Sequence, residues 1–343
     1  MNTRNLSDQY YLNIAHVSEN IYYEDFVVIF DNLCKFLSPA KEKIFNQKLQ
    51  ILDNRKFNEG SFIQIACETT VCSYFLEKYS EGFFYECKTT TISDKDVDCQ
   101  FTDGKYTYNV EVKCPGLDTY KEKFHENPKI EIGGRFSEEG KKLINTIEEA
   151  LQDKLKANKS EWNYTKRKRL DNTLKTFLQE ANSKFPSVEI TDQVNILVVC
   201  CDDQKDMDRW IGYLYHSGGL FTEDSFVDVD TYNRVDIVIL TNLFNRHYSF
   251  ADKVIQGNSW DFSDAFNLCF CNPLKNNTYK AFPIRNFIGK FNNYTTRLIS
   301  FIDKEINSNP AVEYFPVQHF TVEFEKYASV RSENKIDCFA IWK

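Results

Sequence analysis

Three charged residues in one short part of the chain have the types and spacing of a hydrolytic metal site. Asp98 lies in the alternating segment Val97–Phe101, and Glu111 and Lys113 lie two residues apart in the next segment, Lys105–Cys114. Carboxylate oxygens are the ligands that hard divalent cations such as Mg²⁺ prefer. A neighbouring ammonium group can orient an attacking water or offset charge on phosphoryl oxygens. The combination suits metal-assisted cleavage of a phosphodiester.

The two segments are joined by Asp103-Gly104, a dipeptide typical of a β-hairpin with a two-residue type I′ turn. If these two residues form the loop, paired residues have numbers that sum to 207. Asp98 then lies opposite Asn109, and Asp96 lies opposite Glu111. This register sorts apolar side chains onto one face of the hairpin and polar side chains onto the other, as a half-buried ribbon requires.

The polar face of this hairpin would hold several carboxylates close together. Like charges on neighbouring strands repel by roughly 0.2–1 kcal/mol in ordinary pairs, so we expect a cation between Asp98 and Glu111. Mg²⁺ or Mn²⁺ suits these oxygen ligands better than zinc does. Asp96 is either a further ligand or a loop charge, and the strand pattern favours the loop charge.

The surrounding pattern predicts an α/β fold with a mixed central sheet flanked by helices. A helix is expected over 61–79, before three strands at 82–90, 97–101 and 105–114. Further along the chain we expect helices at 138–155, 170–185 and 285–305, and strands at 194–201, 235–241 and 337–342. On the 170–185 helix, Lys175, Gln179 and Asn182 share a polar face. This face could meet the site or the substrate backbone, but we expect it to be solvated.

An Asp followed by a strand-borne Glu-x-Lys resembles the signature of the PD-(D/E)XK nuclease superfamily, here in Val97-Asp98-Cys99 and Glu111-Val112-Lys113. Val97 stands where the family name has proline. The resemblance implies that Asp98, Glu111 and the Val112 carbonyl bind Mg²⁺ or Mn²⁺ and that Lys113 acts on the water. It also implies an assisting glutamate on the preceding helix, for which Glu68 is the candidate.

The resemblance further implies a restriction-endonuclease-like core. We assign this core to residues 59–201, with a helical accessory region at 1–58. Residues 202–343 would extend the sheet and helices and could serve recognition or oligomerisation. The implied substrate is DNA rather than RNA, in defence or repair, and a homodimer is a reasonable arrangement for cutting both strands.

Composition limits the other functions. The net charge of −8 over 343 residues argues against a protein that coats nucleic acid by bulk electrostatics, although Arg135 and the basic run 166–169 could meet phosphates. The 11 cysteines lie mostly in apolar segments without CxxC spacing, so we interpret them as structural thiols and do not expect zinc. No signal peptide or membrane-spanning run is visible, which predicts a cytoplasmic protein without a membrane partner.

Two alternatives to an active nuclease remain. The polar face could be merely solvated, with Lys113 offsetting Glu111. The fold could also be a catalytically inactive module that binds nucleic acid or a protein partner. A Ser-His-Asp or Cys-His hydrolase finds less support because the sequence has no nucleophile elbow.

Overall fold

A computed structural model describes most of the chain. The described residues are 10–51, 57–89, 95–115, 170–187, 189–190, 192–202, 204–215, 218–250, 258–273 and 280–291, together with scattered positions between 142 and 153. The predicted segments at 138–155, 285–305 and 337–342 lie largely or wholly outside these residues, as do Arg135 and the basic run 166–169. No helix among the described residues is long and apolar enough to cross a membrane.

The helices begin with an N-terminal group and continue between and after the strands. They are α1 (Tyr10–Val17), α2 (Ile21–Cys34), α3 (Pro39–Lys48), α4 (Glu59–Lys78), α5 (Leu170–Lys184), α6 (Gln204–Tyr215), α7 (Leu243–Tyr248) and α8 (Ala281–Lys290). Side chains cap several of their N-termini. Asn58, for example, accepts a hydrogen bond from the Ser61 amide at 2.9 Å, which satisfies a backbone donor at the start of α4.

The strands form one mixed six-stranded sheet in which the spatial order equals the chain order. They are β1 (Phe84–Cys87), β2 (Val97–Thr102), β3 (Thr107–Lys113), β4 (Gln193–Cys200), β5 (Ile237–Thr241) and β6 (Asn267–Cys271). The pairs β3–β4 and β4–β5 are parallel, and the other pairs are antiparallel. The predicted α/β class with a mixed sheet flanked by helices is therefore confirmed.

Each face of the sheet is covered by a separate apolar cluster. On one face, α4 and the N-terminal helices pack against alternate strand residues such as Val110, Ile196 and Ile239. On the other face, α5 and α6 pack against the residues between them, such as Leu197 and Val238. β4 and β5 are covered on both sides, which explains why their sequences are nearly continuous apolar runs.

The hairpin register differs from the prediction by two residues. The observed pairs, Gln100 with Asn109 and Thr102 with Thr107, have numbers that sum to 209 rather than 207. Gly104 has a φ of 93° whereas Asp103 is not among the residues with positive φ, so the two-residue loop is Gly104-Lys105. Glycine at the first central position is the type II′ pattern.

Side-chain hydrogen bonds explain the shift of the turn. The Asp103 carboxylate accepts from the Tyr106 amide at 3.2 Å and from Asn286 Nδ2 at 2.6 Å, which holds Asp103 at the end of its strand. A shift of two residues leaves every side chain on its predicted face. It changes the partners, however, because the observed register places Asp98 rather than Asp96 opposite Glu111.

Candidate active site

The centre of the site is Glu111 on β3, whose side chain is only 1% exposed. Two ammonium groups lie against it. Lys113 Nζ is 3.0 Å from Oε1, and Lys184 Nζ, at the end of α5, is 2.6 Å from Oε1 and 2.8 Å from Oε2. A carboxylate buried to this degree requires such compensation, because an unpaired buried charge is strongly unfavourable.

Lys113 is held between two glutamates. Its Nζ lies 3.0 Å from Glu111 Oε1 and 3.1 Å from Oε2 of Glu180, which is on α5. Burial opposes its charge, but the two carboxylates outweigh burial and raise the pKa of Lys113 above the ordinary lysine value. Lys113 is therefore a fixed ammonium group at neutral pH, suited to donating hydrogen bonds rather than to accepting a proton.

Asp98 projects from β2 towards the same face of the sheet. Its Oδ2 accepts a hydrogen bond from the Val112 amide at 2.6 Å, so a side chain bridges the two strands beyond the last paired residues, Cys99 and Val110. Burial, followed by the negative charges of Glu68 and Glu111, raises the pKa of Asp98 well above the ordinary value. A nearby cation would favour its charged form.

Glu68 lies in the middle of α4, the helix that covers the opposite face of the sheet from α5. Its Oε1 accepts a hydrogen bond from the Tyr85 hydroxyl at 2.8 Å and lies 3.7 Å from Lys48 Nζ. Burial raises the pKa of Glu68, against the influence of Lys48 and Tyr85. The charge of Glu111 also contributes to this rise, which places Glu68 within electrostatic reach of the strand-borne acids.

A row of amide side chains continues the polar face of the sheet away from the acids. Gln100 donates to Asn109 at 2.7 Å, and the Asn109 amide donates to Gln193 at 3.0 Å and to Asn195 at 2.9 Å. Asn109 and Asn195 are fully buried. The row fixes the strands on either side of β3 and thereby the position of Glu111.

The structure brings the predicted residues Asp98, Glu111 and Lys113 together on one face of the sheet. Glu68, on the helix that covers the other face, affects Asp98 through its charge. Val112 joins them through its amide, and its carbonyl as a metal ligand stays a prediction. Asp96 lies just before β2, and its Oδ1 is buried without a hydrogen-bond partner among the described residues.

Sequence reasoning missed Lys184 and Glu180 on α5. It considered Lys175, Gln179 and Asn182 instead and favoured a solvated face for them. Gln179 contacts Thr231, and Asn182 accepts a hydrogen bond from the Arg234 amide. Glu180 and Lys184 are four residues apart and therefore share one face of the helix. That spacing was the signal that could have identified them.

Chemically, the acids fit a hard divalent cation. Mg²⁺ is commonly bound through only one or two carboxylates, with water and substrate phosphate completing the shell, and Asp98 with Glu111 can provide such a pair. The carboxylate oxygens of Glu68, Asp98 and Glu111 do not form a group as compact as a closed three-ligand metal site. The described residues contain one group of three ligands within 4.8 Å of one another, and its members are cysteines.

Comparison of the chain with family models, with curated proteins and with solved structures found no match. The functional assignment therefore depends on the geometry of the site.

Proposed function

We propose that this chain is a metal-dependent nuclease that hydrolyses phosphodiester bonds of DNA. The observation that carries the proposal is the convergence of Asp98 and Glu111 from adjacent strands on one buried face, with the ammonium groups of Lys113 and Lys184 beside them. The order α4, β1, β2, β3, α5, β4 supports a restriction-endonuclease-like core, because it is the order of elements which the PD-(D/E)XK resemblance implies.

Asp98 and Glu111 would hold Mg²⁺ or Mn²⁺, with the Val112 carbonyl and Glu68 as further ligands. A bound divalent cation lowers the pKa of a coordinated water and polarises the phosphoryl group. Lys113, a fixed ammonium group, would orient the attacking water and offset charge that develops on the phosphate oxygens. Lys184, now paired with both oxygens of Glu111, offers a second positive charge to the same phosphate.

The wider setting follows from the resemblance. DNA is favoured over RNA as the substrate, and the proposed biological role is defence against foreign DNA or repair. A homodimer would place two such sites on the two strands of a duplex.

A catalytically inactive nucleic-acid-binding or protein-interaction module is the second candidate. One observation favours it: Lys184 Nζ contacts both oxygens of Glu111 at 2.6 and 2.8 Å, so the lysine satisfies the carboxylate without a metal ion. In this case the site would be a structural ion-pair network.

A cleavage assay separates the two candidates. Purified protein is incubated with supercoiled plasmid and with linear DNA, with Mg²⁺, with Mn²⁺ or with chelator, and products are resolved on gels. We expect metal-dependent nicking or cutting by the wild type, and loss of cleavage in Glu111→Gln and Lys113→Met.

Two variants serve as controls because they remove the same kinds of charge from exposed positions. Glu223→Gln and Lys105→Met should cleave like the wild type. Thermal melting of every variant identifies those that fail to fold. DNA binding without cleavage under any metal condition would favour the inactive module, and cleavage that persists in both site variants would refute the nuclease site.

A further inference from the structure

Three cysteine sulfurs meet on the α4 face of the sheet, opposite the face that carries Asp98 and Glu111. Cys67 lies on α4, Cys114 directly follows β3, and Cys200 is the last residue of β4. Their Sγ atoms all lie within 4.8 Å of one another. Cys67 and Cys200 have no exposed surface, and all three belong to or pack against the apolar cluster on that face.

The fold explains why residues so distant in sequence converge. β3 and β4 run parallel with Lys113 paired to Val199, so the next positions, Cys114 and Cys200, are neighbours on adjacent strands about 4.8 Å apart. Two cysteines in register would be this close on any sheet. The third sulfur, from the helix layer above, makes the arrangement three-sided.

The spacing is close to what a metal ion requires. With zinc–sulfur bonds of about 2.3 Å, sulfurs of one coordination sphere lie roughly 3.8–4.0 Å apart. The observed upper limit of 4.8 Å exceeds this by less than about 1 Å, a change that side-chain rotation can supply. Cys269 offers a contrast, because it is also buried but belongs to no such three-ligand group among the described residues.

We propose that Cys67, Cys114 and Cys200 bind one thiophilic metal ion, such as Zn²⁺ or Cd²⁺, through three thiolates. A divalent ion held by three thiolates forms a complex of charge −1. In the described part of the chain no fourth His, Cys, Asp or Glu joins the group, so a fourth position would be taken by water or a small solute.

This site and the carboxylate site would select different ions, because thiolates favour soft or borderline metals and carboxylates favour hard ones. The metal would tie α4 to β3 and β4 at a point next to the candidate nuclease residues. Cys67 directly precedes Glu68, and Cys114 directly follows Lys113. The proposal itself does not depend on nuclease activity.

The experiment uses the full-length protein, reduced and freed of metal by chelation. Cd²⁺ is titrated while the ultraviolet sulfur-to-cadmium charge-transfer band is recorded, and Zn²⁺ affinity is measured by competition with a chromophoric chelator. We expect one equivalent in the wild type. Cys67→Ser, Cys114→Ser and Cys200→Ser should each weaken binding by more than the roughly 10- to 100-fold that loss of an outer-shell partner costs.

The matched control is Cys269→Ser, which should bind like the wild type. Glu111→Gln should also leave the cadmium band unchanged, so that failure of this proposal and failure of the nuclease proposal are distinguishable. A second measurement on the wild type avoids folding defects: zinc should protect these three thiols, and not Cys269, from alkylation in partly denaturing conditions. Absence of a stoichiometric band, or protection that does not favour the three thiols, would overturn the proposal.

Discussion

Acid should destabilise this protein through His247, a fully buried histidine on α7. Its Nδ1 lies 3.0 Å from the Tyr22 hydroxyl and its Nε2 lies 3.0 Å from Thr70 Oγ1. Because the Thr70 hydroxyl donates to the Ala66 carbonyl at 2.9 Å, it accepts from Nε2, and Tyr22 donates to Nδ1. These contacts suit a neutral ring, and protonation would add a charge with no carboxylate among these hydrogen-bond partners.

The magnitude follows from the shift in the pKa of His247. Burial, followed by the charge of Arg246, lowers this pKa from 6.5 to about 3. Below pH 6.5 the unfolded chain therefore binds a proton that the folded chain does not, and stability is lost as the pH falls from 6.5 towards 3. At about 1.4 kcal/mol per pH unit, the free energy of unfolding should fall by about 2 kcal/mol between pH 8 and pH 5 through this one group.

Urea unfolding of the wild type and of His247→Gln at pH 8, 7, 6 and 5 tests this prediction. Other titrating groups affect both proteins, so the difference between the two free energies of unfolding isolates His247. Between pH 8 and pH 5, the free energy of unfolding of the wild type should fall by about 2 kcal/mol more than that of the variant. A difference that stays constant across the series would refute the assignment of a neutral buried imidazole.

Three further predictions concern single side chains. Lys184→Met should reduce DNA cleavage by roughly 10²- to 10³-fold, the usual effect of losing one charge-stabilising donor. Plasmid nicking measures this loss, with Lys105→Met as the control. Lys280→Met breaks a fully buried ion pair with Asp236, whose atoms lie 3.1 Å apart, and should lower the free energy of unfolding in urea by about 3–5 kcal/mol. Gly104→Ala should cost about 1–2 kcal/mol by the same measurement, because the added Cβ meets no atom within 4 Å and the cost comes from the positive φ alone; no loss would contradict the turn assignment.

The sequence was sufficient to predict much of the sheet, for reasons that lie in particular residues. The alternation along Val97–Thr102 reflects a strand buried on one side, and the apolar run of β4 reflects a strand buried on both sides. Both patterns can be recognised in the sequence because periodicity follows burial. The predicted 61–79 helix is α4, observed at Glu59–Lys78, and the 170–185 helix is α5, observed at Leu170–Lys184.

Features that depend on tertiary contacts were not predictable in the same way. The register of the hairpin is set by the Asp103 carboxylate, whose partner Asn286 lies far along the chain. α7 has only six residues, less than two helical turns, so it offers too little length for a helical period to stand out. The spacing of Glu180 and Lys184 shows that they share a helix face, but it does not show which strand residues they meet. The pairing of Lys184 with Glu111 and the meeting of three cysteines arise from packing between layers.

The agreement between chain order and sheet order has a consequence for how the protein is made. Each described strand adds beside the one that precedes it, so the sheet can grow from one edge while the chain is still being synthesised. The strands that carry Asp98 and Glu111 are second and third in this sequence. The two strands that carry these acids can therefore pair before the later strands have been synthesised.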